Sequence, residues 1–89
     1  MNLQDIIRDI HSLEEDLLAF ERKYGIRSET FFAAYASGEE PDDESWVLDF
    51  SEWAGIYRVW LERQSAYRDA VQQVQRDGNS LAGLVHVAA

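Results

Sequence analysis

The chain has 89 residues, enough for one domain whose folding removes only about 60–65% of the unfolded surface from water and so leaves a thin stability margin. Acidic residues outnumber basic ones 17 to 8, for a formal charge of −9; such a field repels nucleic acid and anionic membrane surfaces and favours basic or apolar partners. There is no cysteine, which excludes a disulfide framework and thiolate chemistry. Asp5, Arg8 and Asp9 interrupt the only stretch that could serve as a secretory leader, and no apolar run approaches the ~20 residues of a membrane span, so a soluble, cytoplasmic protein is expected.

Leu3, Ile6, Ile10, Leu13, Leu17, Phe20 and Tyr24 follow one another in unbroken steps of three and four, the rhythm of a single packed helical face. This predicts a helix over about residues 2–24, with Asn2 as N-cap, Asp5 in the first turn and Arg22 and Lys23 in the last, all opposing the helix dipole. In a parallel pair of identical helices Asp9 would face Glu14 of the mate and Asp16 would face Glu21, so the seam calls for a different helix. Gly25 supplies a left-handed stop. Ser28 then stands where an N-cap belongs, Glu29 follows it, and Phe31, Phe32, Tyr35 and Ala36 share a stripe, which predicts a short helix over about 28–37. So short a helix is stable only when docked on a larger element.

Residues 39–45 carry five carboxylates, Glu39, Glu40, Asp42, Asp43 and Glu44, around Pro41, the sole proline. The run reads as a solvated loop, or as a docking rim for a basic partner, and it places negative charge before the next helix. That helix organises the chain: Trp46, Phe50, Trp53, Tyr57, Trp60, Gln64, Tyr67, Val71 and Val74 alternate steps of four and three, predicting a helix over about 46–77. Its start is expected at Ser45, with Asp49 and Ser51 as later options, and its end at Gly78 and Asn79. Gln64 is the polar member of this seam, either a buried amide that fixes alignment or a wet residue beyond the reach of the first helix. A second stripe, Ile56, Val59, Ala66 and Ala70, broken by Arg63, exceeds what the first helix can cover, because Ile7 and Leu18 are that helix's only additional large apolar residues. The short helix, a second copy or another protein is expected to take up the remainder. The tail over 79–89 has no formally charged side chain and is open to three readings: a free end, a docked strap or a strand lent to a partner sheet.

Little in the sequence carries chemistry. His11 lies near Glu14 and Glu15 at ligand-compatible helical spacing, but a dimetal bundle needs Glu-x-x-His pairs on two helices, and neither His11 nor His86 has a second histidine three or four residues away. The acidic loop lacks the alternating ligands, central glycine and terminal glutamate of a calcium loop. No glycine-rich phosphate loop and no serine beside a plausible base is present. The aromatic seam has core spacing rather than the layout of a cofactor cleft. A non-enzymatic protein without a metal or cofactor is expected.

Five fragments, Phe20-Glu21-Arg22-Lys23-Tyr24-Gly25, Ser28-Glu29-Thr30-Phe31, Gly38-Glu39, Asp42-Asp43 and Glu52-Trp53-Ala54-Gly55-Ile56-Tyr57, read in order as F-E-x-K-Y-G, S-x-x-F, G-E, D-D and E-W-A-x-x-Y. Over about residues 13–61 this resembles a family of short, acidic, helical prokaryotic proteins, mostly uncharacterised, whose members look like the antitoxin halves of toxin–antitoxin operons. The resemblance implies a protein that binds and masks a small toxic partner. No separate DNA-binding segment is evident.

The architecture expected is all-α: a long antiparallel helical hairpin with a short intervening helix, a single domain over 1–78 followed by the apolar tail, with the second stripe available for dimerisation. The function expected is antitoxin-like sequestration of a small basic protein through Glu39, Glu40, Asp42, Asp43 and Glu44, with Ile56, Val59, Arg63, Ala66 and Ala70 as a face for the partner or a second copy. The alternative is a homo-oligomeric structural or adaptor protein. Direct nucleic-acid or membrane binding is not expected.

Overall fold

A computed structural model describes residues 2–78 and 81–85. Its elements are α1 (Leu3–Tyr24), α2 (Ser28–Ala36), one 3-10 turn (Glu44–Trp46), α3 (Val47–Arg76) and a further helical turn, α4 (Leu81–Leu84). Among the described residues there is no strand. Asp9 meets Arg63, Glu14 meets Trp60 and Lys23 meets Asp49, so numbers rise along α1 as they fall along α3. The protein is therefore the expected antiparallel hairpin, with α2 touching both long helices.

The ends of α1 follow local chemistry. The Asn2 side chain accepts a hydrogen bond from the Asp5 backbone N–H at 2.9 Å, and Gly25, at φ 76°, closes the helix by donating to the Glu21 carbonyl at 2.8 Å. That left-handed conformation costs a residue with a Cβ about 1–2 kcal/mol.

The start of α2 departs from expectation. Arg27, in extended backbone, occupies the cap without a side-chain cap bond, and Ser28 is the first helical residue. Its hydroxyl turns inward, because the buried Trp53 indole and the half-buried Glu21 carboxylate compete for it more effectively than the helix N-terminus does. After α2 the chain turns through Gly38 at φ 101°.

Helix α3 is preceded by the 3-10 turn, which Asp43 caps by accepting from both the N–H and the hydroxyl of Ser45 at 2.8 Å. Trp46 thus stands just before the helix and keeps 36% of its surface exposed. At the far end Asp77 caps α3 and Gly78 takes φ 86°.

The core is small. Leu17, Phe31, Trp53 and Ala54 form one buried cluster where α1, α2 and α3 meet, and Ile6 and Ile10 extend the buried face along α1. Trp53 has no exposed surface. Its ring is parallel to Phe31 at 3.9 Å and nearly parallel to Phe20 at 5.5 Å and Tyr24 at 5.7 Å, so the indole is stacked with rings from both other helices. Of the tail, Leu81–Leu84 form one helical turn, while 79–80 and 86–89, with the rest of that expectation, lie outside the described residues. No helix among the described residues is long and apolar enough to cross a membrane.

Candidate functional site

Three residues far apart in sequence hold α2 in place. The buried Trp53 indole N–H donates to the Ser28 hydroxyl at 2.9 Å, and that hydroxyl donates to Glu21 Oε2 at 2.7 Å. The Ser28 backbone N–H reaches the same carboxylate oxygen at 3.0 Å, and Arg27 approaches Oε1 at 3.2 Å. Burial alone would raise the Glu21 carboxyl, but the two Ser28 donors and the Arg27 charge outweigh it and hold it below its ordinary value. One serine thereby ties α1, α2 and α3 together.

With α2 fixed, the acidic loop closes over its outer side. Ile26, Phe31, Ala34, Tyr35, Pro41, Trp46 and Phe50 form the apolar part of a cleft of ≈ 190 Å³, and Glu39, Glu40 and Asp42 contribute its carboxylates. All three carboxylates are exposed, and the cleft lining includes no lysine, arginine or histidine. Within it Phe31 stacks on Tyr35 at 5.3 Å, Trp46 stacks on Phe50 at 5.7 Å, and Tyr35 meets Phe50 edge-on at 6.4 Å. Asp43 has a different task. Its bonds to the Ser45 hydroxyl and N–H cap the turn and hold its carboxyl below the ordinary carboxylate range. Glu44 is exposed within the turn. Nearby, Lys23 at 2.6 Å and the Tyr24 hydroxyl at 2.5 Å both reach Asp49 and hold its carboxyl below the ordinary range. The end of α1 is thus fastened to the start of α3.

The second stripe of α3 is partly engaged within the chain. Ile56 packs against the core cluster, and Arg63 pairs with Asp9 of α1 at 3.1 Å. Ala66 and Ala70 are half-buried, whereas Val59 is 36% exposed. Its neighbourhood is a shallow hollow with Asp9, Ser12, Leu13 and Arg63. The other side of the hairpin carries two larger hollows that share Glu14: one of ≈ 290 Å³ includes Leu18, Tyr57 and Trp60, and one of ≈ 260 Å³ includes Ile7, His11, Gln64 and Tyr67. Gln64 is half-buried there. It therefore lies within reach of α1 without being sealed between the helices.

Among the described residues, no group of three His, Cys, Asp or Glu side chains is placed to hold a metal ion. The chain matches no protein-family model, no curated protein and no solved structure.

Proposed function

We propose that the protein is a non-enzymatic binding module, antitoxin-like in role, which sequesters a small basic partner protein in the cytoplasm. The observation that carries this reading is the end cleft: aromatic rings and apolar side chains beside Glu39, Glu40 and Asp42, with no cation in the lining. Apolar surface supplies contact energy, while unpaired carboxylates steer a positively charged protein toward it and select against acidic competitors. The chain-wide charge of −9 acts in the same direction and opposes direct contact with nucleic acid.

The alternative reading, a homo-oligomer built through Ile56, Val59, Arg63, Ala66 and Ala70, draws support from the exposure of Val59 at 36%. It is the weaker of the two because Ile56 and Arg63 already have partners within the chain and because two copies each bring −9. Association kinetics separate the readings. Partner capture should slow steeply with added salt, since steering by exposed charge is screened within about 8–10 Å at physiological ionic strength. Self-association of like-charged copies should instead strengthen with salt.

A further inference from the structure

The cleft beside the acidic loop is built around rings that have no cation of their own. Where rings elsewhere carry a charge contact, the chain supplies it: the Lys23 ammonium lies 5.5 Å from the Tyr24 ring centroid and the Arg58 guanidinium 5.4 Å from that of Phe32. In the cleft, Tyr35, Trp46 and Phe50 stand beside Glu39, Glu40 and Asp42, and among the described residues none of these carboxylates belongs to an ion pair. Such a lining suits a group that is flat, cationic and able to donate to carboxylates while resting on aromatic carbon.

We propose that this cleft is a slot for a single arginine side chain of the basic partner. The inference rests on the reading of the protein as a binder of a basic protein and names the anchor by which it is held. The guanidinium takes a place against the Tyr35, Trp46 and Phe50 rings, its N–H groups turn to Glu39, Glu40 and Asp42, and its methylene stem lies on Ile26 and Pro41. A cleft of ≈ 190 Å³ admits one long side chain rather than a helix. Arginine fits better than lysine because the guanidinium is planar, weakly hydrated and forked, so it stacks and donates in pairs, whereas an ammonium holds its water. A second copy of this chain is the poorer occupant, since it brings another −9 to an already acidic rim.

The test is a nuclear magnetic resonance titration of the isotope-labelled full chain with N-acetyl-arginine methylamide, its lysine counterpart and the uncharged citrulline analogue. The expected result is a saturable shift of the Trp46 indole N–H and of the Tyr35, Asp42 and Phe50 amides, strongest with arginine, weaker with lysine and absent with citrulline. Trp46→Leu and the double change Glu40→Gln with Asp42→Asn should each weaken binding about threefold or more, while amide spectra remote from the cleft stay those of the folded parent. An unmoved Trp46 indole, or equal shifts with citrulline, overturns the slot. A tetra-arginine peptide run in the same series distinguishes the two levels: shifts of the Glu39, Glu40 and Asp42 amides with an unmoved Trp46 indole remove the slot and leave the basic-partner reading standing, whereas an unmoved acidic loop counts against both.

Discussion

Removing one hydroxyl, that of Ser28, would leave the buried Trp53 N–H without its acceptor and take one of two Ser28 donors from Glu21. A buried polar group stranded in this way costs about 1–3 kcal/mol, so Ser28→Ala should shift a denaturant melt by that amount although it deletes a single atom from an apparent helix start. Trp53→Phe, which keeps a ring in the stack, should cost less than Trp53→Ala, for which about 3–5 kcal/mol is expected from the cavity. The pH dependence has a definite sign. Glu21, Asp43 and Asp49 all titrate below their ordinary values in the fold, so the unfolded chain binds their protons more readily. The stability they contribute is complete above the ordinary carboxylate range of about 4 and is lost as pH falls through the folded values. Melting temperature should therefore drop on acidification below about pH 4. Ser28→Ala should reduce the Glu21 share of that drop, and an unchanged acid profile in the variant would show that Ser28 does not set the Glu21 charge.

At the scale of elements, the acidic loop divides into two parts. Asp43 caps the turn that starts α3, while among the described residues the side chains of Glu39, Glu40, Asp42 and Glu44 make no hydrogen bond or ion pair. Asp43→Ala, which removes the acceptor of both Ser45 bonds, should thus lower the melting temperature more than neutralising the other four together, because loss of a cap costs about 1 kcal/mol while exposed like charges contribute little to the fold and slightly oppose it. Gly25→Ala should cost about 1–2 kcal/mol; an added Cβ there meets nothing within 4 Å, so backbone conformation alone sets the effect. These same elements show what was legible in the sequence. Leu3 through Tyr24 and Phe50 through Val74 revealed both long helices because a packed face repeats at a period visible in one dimension. In sequence Ser28 has the position of a cap, because its actual role depends on Glu21 and Trp53, which only the packed helices bring to it. Trp46 shared the seam's spacing yet falls in the turn, since the Asp43 cap sets where α3 begins. The cleft was legible only as its carboxylates; that Ile26, Tyr35 and Phe50 lie beside them follows from how α2 docks.

Taken whole, the molecule is long and thin. Its extents are 52 × 29 × 20 Å and its radius of gyration is 16.5 Å, against about 12 Å for a compact chain of this length. A two-helix body with so few sealed residues leaves its flanks and its end available to other proteins, and the question is which surface is used. If the end cleft is the interface, Val59→Asp on the flank should leave both sedimentation behaviour and partner binding unchanged; a dimer weakened by that substitution would move the weight to the oligomer reading. The central claim, that the unpaired carboxylates beside the aromatic cleft capture a basic protein, is tested most directly by co-expression rescue paired with a thermal melt. Where a neighbouring gene encodes a small basic protein, that product would be expressed alone, with the parent protein, and with a variant carrying Glu39→Gln, Glu40→Gln, Asp42→Asn and Glu44→Gln but retaining Asp43. The account predicts that the parent relieves growth inhibition and that the variant fails to do so while melting at the parent's temperature. Full rescue by the variant would contradict it.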